Sequence, residues 1–182
     1  AGSGGLGTFA IQLAKHLGAL VATTTSTGNI AMVKRLGADV VIDYKKDAFE
    51  AHLSGYNVVL NSQDAQTLAK SLGVLKPGGR LISISGPPDP QFADDIKAPW
   101  LVKQVMRALS FGVRRQAQRL QVGYSFLFMK ASGNQLRQIT PLIESGAIRP
   151  VIDKVFPFES TNEALAYVES GRAKGKVVIK VR

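Results

Sequence analysis

The sequence predicts an α/β fold built on a doubly wound parallel sheet. Two observations carry this. Short β-branched runs alternate with segments whose apolar residues recur at helical spacing, and the chain opens on a glycine loop running straight into such a helix. The loop is Ala1-Gly2-Ser3-Gly4-Gly5-Leu6-Gly7. Glycines there permit a tight turn, close approach of backbone to a ligand, and close packing of helix on sheet.

Each element follows in order. Phe9, Ile11, Leu13, Ala14 and Leu17 form the apolar stripe of the first helix, which Gly18 closes. Residues 20–25 read as a β-branched strand and 29–36 as a helix stopped by Gly37. Val40-Val41-Ile42 is the next strand, and 46–53 a short helix. Residues 57–60 make a strand and 65–75 a helix, followed by a turn at Lys76-Pro77-Gly78-Gly79. A strand at 80–85 is closed by Gly86-Pro87-Pro88. The rhythm then changes: 96–120 reads as one long helix, or two broken near Gly112. Strand character returns at 122–128, and helix at 135–143 before Gly146. Val151-Ile152 and 155–158 read as two strands around a charged turn. Ser160-Thr161-Asn162-Glu163 has capping-box spacing for a helix ending near Gly171, and 177–181 is a terminal strand.

Composition narrows the function classes. At 182 residues, 45% hydrophobic and 20% charged, the chain suits one globular domain, or one with a small appendage. No apolar run approaches the roughly 20 residues of a membrane span. The absence of cysteine removes disulfides and thiolate metal sites from this chain and fits a cytoplasmic protein. The net charge of +10 favours anionic partners. Part of it clusters at Lys97, Lys103, Arg107, Arg114, Arg115 and Arg119, read first as a solvated helix face. An interface and nucleic-acid binding are the further readings. No aromatic-interleaved platform or zinc-finger spacing supports nucleic acid.

Several segments in register carry a resemblance: the glycine loop, Leu36-Gly37-Ala38-Asp39-Val40-Val41-Ile42-Asp43-Tyr44, Leu75-Lys76-Pro77-Gly78-Gly79-Arg80-Leu81, and Gly171-Arg172-Ala173-Lys174-Gly175-Lys176-Val177-Val178. Over essentially the whole chain they resemble the C-terminal cofactor part of the medium-chain dehydrogenase/reductase superfamily. The nearest branch is the zinc-independent, NADPH-dependent quinone oxidoreductases and enone reductases. The resemblance implies a Rossmann-like NADP(H) domain over residues 1–150, without its first strand. Residues 151–182 would complete an N-terminal GroES-like catalytic domain that is missing here. Hydride transfer to a quinone or an α,β-unsaturated carbonyl is the implied reaction, and homodimer pairing through strands of this domain is implied as a possibility. The chain alone is expected to be inactive.

The candidate site residues follow. In Ser3-Gly4-Gly5-Leu6-Gly7, the amides of Gly5, Leu6 and Gly7 are placed to receive a pyrophosphate, aided by the helix dipole; the bland reading is a sharp strand-to-helix turn. At the end of the second strand, Thr25, Ser26 and Asn29 stand where NAD-preferring folds carry an acid, so a ribose 2′-phosphate meets no repulsion. Threonine and serine also suit a strand end and an N-cap. Lys34, Tyr44 and Arg172 are compensating groups for that phosphate, and Tyr44 matches the family tyrosine beside the adenosine. Asn61 either reaches a ribose or caps the next helix. Gly86 either admits the nicotinamide ribose or begins a turn. The resemblance puts the strand holding Phe126 and Phe128 beside the nicotinamide, although aromatic strands are usually core. Arg172 and Lys176 read as cationic contacts to phosphates or as a solvated turn; their G-x-x-x-G-K spacing after a helix is not a P-loop. His16 and His52 lie on separate helices, so no metal site is expected, and no serine sits on a nucleophile elbow. No catalytic side chain is nominated. A zinc-dependent alcohol dehydrogenase of the same superfamily and a non-enzymatic polyanion- or RNA-binding module are the alternatives.

Overall fold

The computed structural model describes residues 2–182, so Ala1 of the glycine loop lies outside the described residues. In chain order the elements are α1 (Gly7–His16), β1 (Ala22–Thr25), a 3-10 turn at Thr27–Asn29, α2 (Ile30–Arg35), β2 (Val40–Asp43), α3 (Phe49–His52), β3 (Tyr56–Asn61), α4 (Ala65–Leu72) and β4 (Leu75–Ser83). They continue with α5 (Pro90–Asp95), α6 (Trp100–Leu109), α7 (Phe111–Arg119), β5 (Gly123–Phe126), α8 (Gly133–Glu144), β6 (Ile152–Pro157), a 3-10 turn at Phe158–Ser160, α9 (Thr161–Glu169) and β7 (Lys176–Lys180). All strand pairings among the described residues are parallel, as the alternating pattern predicts. The elements group into two compact units. One is the chain up to Ala48 together with Ser132–Arg182, and the other is Phe49–Ala131.

In the first unit β1 pairs with β2 and β6 with β7. Ile11 of α1, Val33 of α2 and Ala38 form its buried apolar cluster, with Val21, Met32, Leu36 and Val41 packed around it. The stripe of α1 differs from expectation. Leu17 is 74% exposed, while Gln12 is buried. Gln12 is tolerated inside because its amide behaves as a short piece of backbone: Nε2 donates to the carbonyls of Thr8 (2.8 Å) and Arg149 (3.0 Å), and Oε1 accepts from Arg149 N–H (2.8 Å). The two short strands expected at 151–158 are one strand, β6, whose register shifts between Ile152 and Lys154 so that the charged residues sit in an irregularity. The capping box does not form. Ser160 makes no side-chain cap bond, and Thr161 Oγ1 instead donates to Phe158 C=O at 2.5 Å within the preceding turn.

In the second unit β4 lies between β3 and β5, the order expected of one half of a doubly wound sheet. Leu68 and Leu72 of α4 pack with Leu75, Leu81, Ala117 and Val122. The Lys76-Pro77-Gly78-Gly79 turn is absorbed into β4. Tyr56 partners Leu75 but Val58 partners Arg80, so the ladder swallows the glycine segment as a bulge. The segment expected at 96–120 is two helices, α6 and α7, and a further short helix, α5, precedes it. Asp89 caps α5 by accepting from Phe92 N–H, with Pro90 in the first turn. Pro99 precedes α6, and the last break falls at buried Ser110 rather than at Gly112, which lies inside α7.

Candidate functional site

The glycine loop is built from both of its flanks. Gly2 N–H donates to Thr24 C=O of β1 at 2.8 Å, which ties the loop to the strand edge. At the other end the ladder of α1 begins with Thr8 N–H on Gly4 C=O at 3.0 Å. The amides of Gly5, Leu6 and Gly7 therefore come ahead of that ladder, at the positive end of the helix dipole, where an anion is received.

The residue that sequence spacing alone left distant is brought to this loop. Gly4 and Gly175 form an isolated parallel bridge. A Cβ on Gly5 would lie 3.1 Å from Gly175 O and 3.2 Å from Lys176 Nζ. An ammonium thus stands at the glycine loop. A cleft of about 400 Å³ opens there, lined by Gly5, Val168, Gly171, Ala173, Gly175 and Lys176, with Val177 behind them. Gly175 makes the approach possible. Its φ is +99°, and a Cβ would lie 2.3 Å from Val151 O, so no other residue fits this backbone. Of the two cations predicted here, only Lys176 lines the cleft. Arg172 is exposed, and its charge acts on Tyr167, whose hydroxyl donates to Asp153.

At the end of β1 the predicted residues have separate surroundings. Thr25 is fully buried, and its hydroxyl has no hydrogen-bond partner among the described residues. Ser26 Oγ accepts from Asn29 Nδ2 at 3.1 Å, so the two stabilise their own turn. Tyr44 is 57% exposed and is held by its N–H on Thr25 C=O at 3.1 Å. Lys34 is exposed in the last turn of α2, and no described hydrogen bond or ion pair joins it to residues 25–29. Sequence reasoning missed Asp43. This strand-end carboxylate accepts from Thr27 Oγ1 at 2.5 Å and from Lys45 N–H at 3.1 Å, bringing an acid to a loop that contains none. The Thr27 hydroxyl bond, then the Lys45 amide and the charges of Lys46 and Lys45, hold its carboxyl below the ordinary range against the opposing effect of burial. The signal was present in the sequence as the acid two residues before Lys45, but a pairing between β1 and β2 was needed to deliver it.

The second unit holds the remaining predicted residues. Asn61 is buried and tied locally: Nδ2 donates to Gln63 C=O and Ser83 Oγ, both at 3.3 Å, and Oδ1 accepts from Gln63 N–H at 3.4 Å. Gly86 N–H donates to Ser83 Oγ at 2.8 Å. The space beside its Cα is taken by Leu68, Tyr124 and Ser83, so its small size serves the packing of its own turn. Tyr124 Oη donates to Pro87 C=O at 2.7 Å, and burial, reinforced by the charge of Asp89, pushes its phenol up to about 12. Phe126 and Phe128 both pack on Phe92 of α5, at centroid distances of 5.1 Å (edge-on) and 6.0 Å (tilted). Phe92 is a partner that the sequence did not single out. Among the described residues no three His, Asp or Glu side chains come together as metal ligands do. No helix among them is long and apolar enough to cross a membrane.

The sequence pattern that defines the zinc-binding dehydrogenases matches residues 36–179, most of the chain. The chain belongs to the zinc-binding dehydrogenase family. That family is part of the medium-chain dehydrogenase/reductase superfamily, as the resemblance implied. The chain is 34% identical, over 99% of its length, to the mitochondrial NAD(P)H oxidoreductase RTN4IP1 of Danio rerio, and covers 47% of that protein. It is 32% identical over 98% of its length to the chloroplastic NADPH-dependent alkenal/one oxidoreductase of Arabidopsis thaliana, covering 38% of it. The quinone oxidoreductase from Coxiella burnetii superposes on the whole chain with a TM-score of 0.80 at 27% identity, over 51% of its own length. The chain therefore spans about half or less of the relatives it matches. The α/β, Rossmann-like architecture expected of the chain is the one it shares with that quinone oxidoreductase over about half of the latter's length.

Proposed function

We propose that this dehydrogenase chain is the NADP(H)-binding part of an oxidoreductase that delivers hydride to a quinone or an α,β-unsaturated carbonyl. The observation that carries the reading is the meeting of Gly5 with Lys176 at the amino end of α1. A side-chain-free backbone, oriented amides and one ammonium form the donor set that a diphosphate requires. The relatives include an NADPH-dependent alkenal/one oxidoreductase and a quinone oxidoreductase, which supports the cofactor and the substrate class.

In this reading Ser3, Gly4, Gly5, Leu6 and Gly7 receive the diphosphate, and Lys176 neutralises it. Tyr44 flanks the adenosine, and Thr25, Ser26 and Asn29 set the shape of the loop at the end of β1. Asp43, which a 2′-phosphate would meet unfavourably, is already engaged by Thr27 and Lys45. Lys34 and Arg172 add positive potential. In the second unit, Asn61, Phe126 and Phe128 are assigned to the nicotinamide side, with both phenylalanines fixed by Phe92, while Gly86 serves the packing of its own turn. The bound nicotinamide supplies the hydride, while the protein binds, orients and excludes water. Residues 1–150 form the cofactor domain in this proposal, and residues 151–182 complete a catalytic domain; two copies pair through the cofactor domain. Neither zinc nor nucleic acid takes part, and the protein works in the cytoplasm. Metal analysis of the full-length protein checks the first of these points, and cell fractionation the last.

Fluorescence titration of the full-length protein with NADPH and NADH tests the central claim. NADPH is expected to bind more tightly than NADH. Lys176→Gln is expected to weaken NADPH about 5-fold, because a partly exposed charge-assisted contact is worth about 1 kcal/mol. Lys176→Arg should recover most of it. A folded full-length protein with no affinity for either coenzyme refutes the reading. A panel of quinones and enones then identifies the substrate.

A further inference from the structure

The clustered cations of the second unit do more than coat a helix face. Arg107 of α6 and Arg114, Arg115 and Gln118 of α7 line a cleft of about 400 Å³, with the Phe111 ring and Pro90 completing its wall. None of these lining residues is acidic, and among the described ion pairs none uses any of the three guanidiniums. Like charges converging on one concavity without a counter-charge repel each other, an arrangement that an anion relieves.

Two of the three guanidiniums are also held in place. Arg114 Nε donates to Ser110 Oγ and an Nη to Arg107 C=O, both at 3.1 Å. Ser110 is itself fully buried and donates to Met106 C=O at 2.8 Å. The junction between α6 and α7 therefore fixes Arg114 from behind. Arg115 lies over the Phe111 ring, 6.0 Å from its centroid. A fixed guanidinium is pre-organised for phosphate oxygens, and an aromatic face beside a cation accepts a flat ring. No residue of this cleft belongs to the proposed cofactor site, so the inference is independent of that reading.

We propose that this cleft binds a small phosphorylated ligand, its phosphate held by Arg107 and Arg114 and a planar apolar group seated against Phe111 and Arg115. The concave shape and the volume, in the range of small-molecule pockets, fit one such molecule better than a nucleic-acid strand, which needs an extended cationic track.

The test uses the full-length protein, isotope-labelled, with amide chemical shifts followed during titration with phenyl phosphate and, separately, with inorganic phosphate. Shifts are expected to concentrate at residues 107–118 in both titrations, with phenyl phosphate binding at least 3-fold more tightly. Arg107→Gln and Arg115→Gln, which leave the Arg114–Ser110 bond intact, should each weaken phenyl phosphate at least 3-fold, and the pair at least 10-fold. Retention of dispersed spectra shows that the variants fold. Absence of binding at millimolar phenyl phosphate overturns the proposal, as do shifts confined to the glycine loop or affinity unchanged in the double variant. If a single-stranded RNA oligomer binds through these arginines while phenyl phosphate does not, the small-ligand assignment is likewise refuted.

Discussion

Gln12 offers the sharpest test of how the glycine loop and Lys176 are held together. Its side chain makes three hydrogen bonds, two of them to the main chain of Arg149, which leads into β6. Replacing it with leucine keeps the volume but leaves the Arg149 N–H and C=O without these partners. Orphaned buried groups cost about 1–3 kcal/mol each. Arg149 sits near the surface, where water replaces part of the loss, so about 1–2 kcal/mol is expected in total. For a chain of this size that corresponds to a melting temperature lower by roughly 2–8 °C. The cost should be local as well as global. The Arg149 amide should lose protection against hydrogen exchange, and NADPH affinity should fall without any change in the glycine loop itself. Thermal unfolding followed by circular dichroism, with residue-resolved exchange, measures both. Gln12→Glu keeps the acceptor for Arg149 N–H but turns a carboxylate oxygen on the carbonyls of Thr8 and Arg149, so at neutral pH it should be no more stable than Gln12→Leu. If Gln12→Leu melts within a degree of wild type and the Arg149 amide exchanges at an unchanged rate, the argument that Gln12 anchors this segment is wrong.

Further outcomes follow from the same geometry. Gly86→Ala would place a methyl 2.6 Å from Leu68 Cδ1 and 2.7 Å from Tyr124 Oη, so denaturant unfolding should report a loss of about 1–3 kcal/mol. Tyr124, with its phenol raised to about 12, keeps a proton that the unfolded chain releases near 10; its contribution is whole below pH 10 and is lost as pH rises to 12. Tyr124→Phe should remove that part of the alkaline fall in stability, measured as melting temperature against pH. Asp153 accepts from Tyr167 Oη at 2.7 Å and Lys174 N–H at 3.0 Å, and the tyrosine hydroxyl is the main cause of its lowered carboxyl. Its contribution is present above the ordinary carboxylate range and is lost as pH falls through the lower folded value. The stability gap between wild type and Asp153→Asn should therefore be open at pH 7 and close below about pH 4.

What was legible in the sequence was what depends on near neighbours. The alternation of Thr23-Thr24-Thr25 and Val40-Val41-Ile42 with helical stripes fixed the parallel α/β class, and Gly18, Gly37 and Gly171 marked helix ends that the structure keeps, each with a left-handed φ. Where local rules failed, a distant partner outweighed them. The glycine turn at 76–79 became strand because β3 offered a ladder on either side of it. The Ser160 cap gave way to a bond inside the preceding turn, and Gln12 took a buried position because backbone 137 residues away matched its amide.

The candidate site divides the same way. The first residues of the chain specify a helix start with oriented amides, since that property needs only glycine and the residues beside it. The placement of Lys176 against Gly5, of Asp43 against Thr27, and of Arg107 beside Arg114 and Arg115 in one cleft was decided only when strands and helices packed. Charge and hydrogen-bonding capacity are properties of single residues; which charge faces which donor depends on contacts between segments far apart in the chain, and only the folded chain supplies them.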